Sequence, residues 1–288
     1  VPSGFLNVYK PVGMSSHQVI QEIRRLTGQK QVGHAGTLDP MAEGVLPVAI
    51  GSYTRLLEWT NLKPKVYQAE MTFGTQTHSG DRTGYRVAES GPPYPSREQI
   101  EEAIFWLQGE IRQFPPQVSA LKQNGRRAYD IVRHGHSVWL GPRPTIIEHI
   151  RIVEGHNGYW TLEFTVGPGT YIRALVRDLG FLLGQAATMR SLIRTRVGYF
   201  TVETAYHLEQ IQNEPDWTRM LLTGPALLTI PSVCVNSQQR SDLIHGKYSG
   251  IPHLPGFHGI MGLSYEGQVV AVIEGPPWRF RKVLAKDE

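Results

Sequence analysis

The chain has 288 residues, 40% of them hydrophobic and 19% charged, with a formal net charge of +4 and one cysteine, Cys234. This length supports one large core, or a large domain with a small one, and the composition suits a globular protein. It excludes an internal disulfide and a cysteine-cluster zinc site, and no run of about 20 apolar residues is present to span a membrane. The N-terminus lacks the basic-then-apolar pattern of a secretory signal, so a cytoplasmic location is expected.

Phe5 to Tyr9 reads as a first strand, ended by a turn at Pro11 to Gly13. Ser15 and Gln18 make a capping box for a helix whose apolar face is Val19, Ile20, Ile23 and Leu26, with Gly28 as its stop. From Gly33 to Val48 the chain reads GHAGTLDPMAEGVLPV. Asp39 lies in a loop bracketed by Gly33, Gly36 and Gly44, which allow another chain or a ligand to approach closely. Pro40 biases Asp39 toward extended backbone, and the apolar run Val45 to Ile50 reads as the strand that anchors the loop. By local pattern alone, an ordinary Asp-Pro turn before a strand is the favoured reading.

Tyr67, Ala69, Met71 and Phe73 alternate with Gln68, Glu70 and Thr72, the pattern of a half-buried strand with Tyr67 facing inward. Ser96 and Gln99 form a second capping box, followed by the stripe Ile100, Ala103, Ile104 and Leu107 and closed by Gly109. Thr145 to Val153 and Tyr159 to Val166 read as adjacent strands joined through Gly155 to Gly158. Thr170 is expected to cap a helix reaching about Leu183. There is no regular parallel-crossover rhythm and no G-x-G-x-x-G after a strand, so the class is α+β and not a dinucleotide fold. The chain turns polar around Gln210 to Trp217, and a boundary is expected between Leu222 and Pro231. It divides a domain over 1–225 from a small one over 226–288, whose glycines, prolines and short apolar runs such as Val269 to Ile273 read as β structure.

Basic residues gather in two groups: Arg126, Arg127, Arg133, Arg143 and Arg151 with His134, His136 and His149, and then Arg190, Arg194 and Arg196. Such clusters suit phosphate binding, and they equally suit a solvated face.

Five segments taken together carry more information than any one of them. They are KPVGMSS (Lys10 to Ser16), the Asp39 loop, Lys65-Val66-Tyr67, QFPPQVSALK (Gln113 to Lys122) and GTYIRALVRDLG (Gly169 to Gly180). In this order, over roughly the first two-thirds of the chain, they resemble the motifs of the TruB family of tRNA pseudouridine synthases. The resemblance implies the pseudouridine-synthase fold, a mixed sheet flanked by helices with the active cleft across it, and a PUA-like RNA-binding domain at the C-terminus. It implies an isomerase that breaks the bond from ribose C1′ to uracil N1, turns the base and joins C1′ to C5. The uridine would be position 55 in the T-arm of tRNA. Nothing is oxidised, so no metal or organic cofactor is expected, and the chain has no P-loop, HExxH or EF-hand pattern. tRNA is the expected partner, with no membrane, no obligatory protein partner and a monomeric chain.

The resemblance also implies roles for single residues. Asp39 is the catalytic carboxylate, ionised in a partly dry pocket, and Arg173 is its partner; an adjacent guanidinium lowers a carboxylate pKa by ~1–3 units. Tyr67 stacks on the target uracil, an interaction of about 1–3 kcal/mol, and stands to take the C5 proton. His34 packs where the base leaves its stack, an extrusion that costs a few kcal/mol. Lys10, Lys122, Arg126 and Arg133 are candidate phosphate contacts, and Asp81 and Leu192 complete the substrate-binding set. The chain departs from the family pattern at His78, which replaces the first aspartate of TDTxDxxG, at Val118 in the PPxYSA element, and at Ile193.

Whether Asp39 attacks the sugar, attacks the base or deprotonates the sugar stays open at this level. A glycosidase would need a second carboxyl across the bond, and Glu43 is the one nearby in sequence. A guide-dependent enzyme acting on ribosomal RNA and an RNA-folding helper are the other readings.

Overall fold

The first apolar run forms strand β1 (Gly4–Lys10), and α1 (Ser16–Thr27) follows at the expected capping box. Ser15 Oγ accepts the Gln18 N–H, while Gln18 accepts the Ser15 N–H. The computed structural model describes residues 2–284 apart from 120 and 124. β2 (Val32–His34) and β3 (Glu43–Ile50) come next, then a 3-10 turn over Gly51–Trp59. β4 (Lys65–Phe73) buries Tyr67, Ala69, Met71 and Phe73, the alternation its sequence carries. A ribbon of β5 (Thr75–Thr77) and β6 (Arg86–Glu89) precedes α2 (Arg97–Phe105), which starts at the Ser96 and Gln99 capping box. β7 (Gly109–Gln113), a second ribbon of β8 (Lys122–Gln123) and β9 (Arg126–Arg127), and the short α3 (Ala128–Arg133) follow. The hairpin β10 (Arg143–His156) and β11 (Tyr159–Val166) leads to α4 (Ile172–Leu182), β12 (Ala187–Val197), β13 (Phe200–Thr201) and α5 (Leu208–Asn213). The C-terminal part holds β14 (Ser232–Cys234), α6 (Ser237–Ile244), β15 (Gly259–Tyr265), β16 (Gln268–Gly275) and β17 (Arg279–Val283).

The main sheet is nine-stranded, in the order β1-β3-β12-β4-β11-β10-β7, with β2 on β3 and β13 on β12. β12 runs parallel to β3 and antiparallel to β4, so the sheet is mixed. β4 lies between β11 and β12, which places Tyr67 opposite Phe164 on one side and Arg194 on the other. Helices α2 and α4 pack Ile100, Ile104, Leu175, Val176 and Leu179 onto Ala69, Met71, Leu162 and Phe164 in the largest core. α1 packs Val19, Ile20 and Ile23 on Leu6, Val8, Leu46 and Val48.

A second sheet, ordered β14-β15-β16-β17, closes the chain. It does not stand apart: Val269, Val272 and Leu284 share a core with Phe5, Tyr53, Leu56 and Trp59. The Tyr53 hydroxyl donates to the Thr223 carbonyl (2.7 Å) and accepts the Val269 N–H (3.0 Å) across the junction. Among the described residues, no helix is long and apolar enough to cross a membrane.

One local expectation differs from what the structure shows. Thr170 does not cap α4; the cap position is Tyr171, and the Thr170 hydroxyl bonds the Gly167 carbonyl and Thr145. The side chain of Gln113 takes over instead, accepting the Tyr171 N–H (2.9 Å) and donating to the Tyr171 carbonyl (3.1 Å). The polar stretch around Gln210 contains α5, because Ile211 completes the core under α1.

Candidate active site

Asp39 owes its place to the chain on both sides of it and to the turn after β1. Ser16 Oγ accepts the Leu38 N–H (2.9 Å) and donates to the Leu38 carbonyl (3.1 Å), which fixes the backbone just before the aspartate. The Gly13 N–H donates to the Pro40 carbonyl (2.7 Å), and the Ala42 N–H donates to the Asp39 carbonyl (3.0 Å). The KPVGMSS segment is thus the socket into which the Asp39 loop is plugged. Gly44, at φ 103°, holds the other end; a Cβ there would lie 2.3 Å from the Arg194 carbonyl oxygen, so the β3–β12 approach requires glycine.

Arg173, the second residue of α4, is 4% exposed and points at Asp39: Nη2 lies 2.8 Å from Asp39 Oδ2. Its Nη1 lies 3.5 Å from Asp81 Oδ2 and donates to the Ser79 carbonyl (2.9 Å), and Nη2 also donates to the Val118 carbonyl (3.1 Å). One guanidinium therefore joins two carboxylates from different loops. Asp81 is buried at 3% exposure, and its Oδ1 accepts from Ser79, from the Thr83 N–H (2.9 Å) and from the Thr83 hydroxyl (2.5 Å). Asp81 steadies Arg173 and lines the wall of the larger cleft. His78, which replaces the family's other aspartate, stacks on Tyr85 with centroids 4.0 Å apart and accepts the Tyr85 N–H (3.2 Å). It holds the same loop by packing.

The Asp39–Arg173 pair borders two connected spaces. A cleft of about 1110 Å³ is lined by His34, Asp39, Asp81, Arg133 and Arg173 among others. A smaller pocket of about 330 Å³ is lined by Asp39, Lys65, Tyr67, Arg173 and Leu192. Its volume falls in the range of about 300–1,000 Å³ usual for small-molecule sites. Tyr67 and Leu192, buried at 7% and 6%, give it apolar walls. Burial, aided by the Arg194 charge, pushes the His34 imidazole below its ordinary value, which keeps it neutral at physiological pH.

Lys10 requires a correction. It is fully buried, and its ammonium donates to the carbonyls of Pro11 (2.9 Å), Met14 (2.5 Å) and Pro40 (3.5 Å). It is an internal tie under the Asp39 loop and contacts no phosphate; desolvation pushes its pKa down to about 8 against the pull of Asp39 and Glu43. Glu43 in turn accepts a hydrogen bond from Tyr9, whose phenol burial and that bond push up to about 12. Glu43 is occupied with β1, and the second carboxylate of the site is Asp81. Arg126 and Arg133 are exposed on β9 and α3, with Arg133 on the wall of the larger cleft. Lys122 pairs through its backbone with Arg127, and its side chain lies outside the described residues.

Sequence reasoning placed Arg194 in a surface cluster, yet it is fully buried. Its Nε donates to the Val45 carbonyl (2.8 Å) and Nη2 to the Gly36 carbonyl (3.0 Å), and the guanidinium carbon lies 6.0 Å from the Tyr67 ring centroid. Its neighbour Lys65 stands in the sequence only as the first residue of a motif, with no role of its own. A signal existed: period-two alternation puts Lys65 on the face of Tyr67 and Arg194 on the face of Leu192. Gln113 was noticed only as part of a motif, and its grip on the start of α4 is what aims Arg173.

Residues 24–172 match the family model described as TruB family pseudouridylate synthase (N terminal domain). Residues 173–220 match the model described as tRNA pseudouridylate synthase B C-terminal domain. A tRNA pseudouridine synthase B from Synechocystis sp. is 39% identical over 258 residues, which span 88% of this chain and 87% of that protein. One from Mycobacterium sp. is 36% identical over 288 residues, 99% of this chain and 96% of its own. Among solved structures, one from a Cbf5-Nop10-Gar1 complex aligns with a TM-score of 0.70 at 25% identity, over 98% of this chain and 85% of that one. Another, from an archaeal box H/ACA sRNP Nop10-Cbf5 complex, shares the fold with a TM-score of 0.70 at 22% identity, over 99% and 87%.

Proposed function

Since the chain belongs to the TruB family of pseudouridine synthases, we propose that it isomerises a uridine of tRNA to pseudouridine, at position 55 in the T-loop. The observation that carries this reading is the Asp39–Arg173 pair, 2.8 Å apart, at the junction of a broad cleft and a smaller pocket walled by Tyr67. The T-arm lies along the cleft, and the extruded uracil enters the pocket and stacks on Tyr67, with Leu192 opposite. Asp39 then meets the anomeric region of the nucleotide. Arg173 fixes the orientation of that carboxylate and supplies the positive charge that offsets its partial removal from water. The three routes of attack on the sugar, attack on the base and proton removal from the sugar all use this carboxylate in this place. Tyr67 receives or relays the C5 proton, and no cofactor takes part. His34, at the pocket mouth, fills the space the base vacates, and Arg126, Arg133 and Lys122 contact phosphates.

The same reading divides the chain at 225/226 and gives the small C-terminal sheet a PUA-like role in gripping RNA. It makes the active form a monomer in the cytoplasm with no obligatory protein partner. The test is incubation with a T-stem-loop transcript followed by mapping of pseudouridine. Product with the wild type and none with Asp39→Asn is expected; full product with Asp39→Asn overturns the assignment. Activity on bare RNA, without added guide or protein, separates it from a guide-dependent enzyme.

A further inference from the structure

The roles above leave Lys65, on the wall of the smaller pocket, and the buried Arg194 beside it without a part in the chemistry. Lys65 and Tyr67 stand two residues apart on β4 and share a face of the strand. Arg194 is the direct partner of Tyr67 on β12 and shares that face too. Arg194 is fully buried and its Nη1 has no acceptor. Among the described residues, the Lys65 ammonium has neither a hydrogen-bond nor an ion-pair partner. The two groups converge on one point: a methyl group on Gly36 would lie 3.2 Å from Lys65 Nζ and 3.5 Å from Arg194 Nη1. Burial and then the Arg194 charge push the Lys65 pKa down to about 8, so each cation opposes the other.

Neighbouring cations with no carboxylate between them raise the free energy of the folded protein. A sequence under pressure only to fold would place an apolar or acidic residue here. The arrangement is explained by a ligand that brings negative charge. Lys65 lines the smaller pocket with Asp39 and Tyr67 and is absent from the walls of the larger cleft, where the RNA backbone would run. The incoming charge is therefore on the base and not on a phosphate.

We propose that Lys65 is a further catalytic residue, which donates a hydrogen bond to a carbonyl oxygen of the uracil ring and holds the negative charge the ring carries while its bond to ribose is open. Arg194 is a positioning residue that adds positive potential beneath Lys65 and fixes Gly36. The inference rests on the function proposed above. When the C1′–N1 bond breaks, its electron pair leaves with the ring and spreads over N1, O2 and O4. The ring turns, C5 supplies the pair for the new bond to C1′, the C5 proton is lost and N1 gains one. No electron is gained or lost overall, and Lys65 keeps its proton throughout.

The test compares wild type, Lys65→Met and Lys65→Arg in single-turnover conversion of a T-stem-loop RNA at saturating enzyme, with RNA affinity and Tm measured alongside. Lys65→Met is expected to slow conversion about 100-fold, the loss typical of removing one donor to a developing oxyanion. RNA affinity and its salt dependence should stay unchanged, and Tm should be equal to or above that of wild type, because an unpaired, half-buried cation has gone. Lys65→Arg should recover part of the rate. A conversion rate equal to wild type overturns the proposal. So does a loss confined to RNA affinity with a weaker salt dependence, which would mark a phosphate contact, and so does a fall in Tm with no change in rate. No pseudouridine with the wild type would refute the proposed function itself, an outcome separate from all of these.

Discussion

Around Asp39 three charged side chains are enclosed and tied: Lys10 to three carbonyls, Arg173 to two carboxylates, Arg194 to the backbone of β3 and of the Asp39 loop. Across the cleft, Arg126 and Arg133 stand exposed on a two-residue strand and a one-and-a-half-turn helix, over a small core of Ala128, Val138 and Leu140. Arg173 reaches from the first region toward the second through its bond to the Val118 carbonyl. The contrast teaches that charge does different work by burial. In the enclosed region a tied charge fixes the geometry of its neighbours, so the loss of Lys10 or Arg173 is felt by the fold as well as by the site. In the exposed region charge supplies attraction in water, screened by salt and tolerant of position.

The sharpest way to break this contrast is Asp39→Asn. It removes the negative charge of the proposed catalytic carboxylate while Arg173 keeps Asp81, so turnover of a T-stem-loop RNA should fall by at least ~10⁴-fold with Tm little changed. If turnover survives, the enclosed region is scaffold and not chemistry.

Arg173→Met should cost both at once. It leaves Asp39 and the buried Asp81 without their common partner, and breaking a buried pair in this way costs about 3–5 kcal/mol, read as a drop in the denaturation midpoint. Turnover should be lost with it, and a stable, active variant would show that the pair is incidental.

Lys10→Met tests whether a lysine that looks like a phosphate contact is an internal tie. The prediction is a loss of about 1–3 kcal/mol from carbonyls left without a donor, with the salt dependence of RNA binding unchanged. The pH dependence has a definite sign. Lys10 is depressed to about 8 from 10.5, so between those values the unfolded chain holds the extra proton and the stability that Lys10 confers rises with pH. The Tm gap between wild type and variant should therefore widen from pH 8 to 10. Above that, Tyr9 and Tyr53, both pushed up to about 12, act in the opposite sense in both proteins. A gap that narrows over that interval would contradict the burial of Lys10.

The smallest effect belongs to the exposed side. Arg126→Ala with Arg133→Ala should leave Tm within about 0.5 kcal/mol of wild type in stability terms. It should weaken RNA binding and lower the salt slope by roughly one for each phosphate contact removed. Unchanged affinity across salt would move the RNA path away from α3.

The sequence by itself determined what depends on neighbours along the chain. The Ser15 and Ser96 capping boxes, the alternation that turns Tyr67 inward and the hairpin of β10 and β11 all follow from residues a few positions apart, and the five motifs in order marked Asp39, Tyr67 and Arg173. Tertiary structure decided what depends on residues far apart. That Arg194 is buried and that Gln113 starts α4 rest on partners 58 to 158 positions away, Asp81 serves an arginine on a distant helix, and Lys10, tied also to its own turn, reaches a carbonyl 30 positions on. A lysine or arginine reads the same in sequence whether water or three carbonyls surround it. Which of the two occurs is settled only when the rest of the fold closes over it, because the cost of removing a charge from water is met in part by contacts that local sequence does not contain.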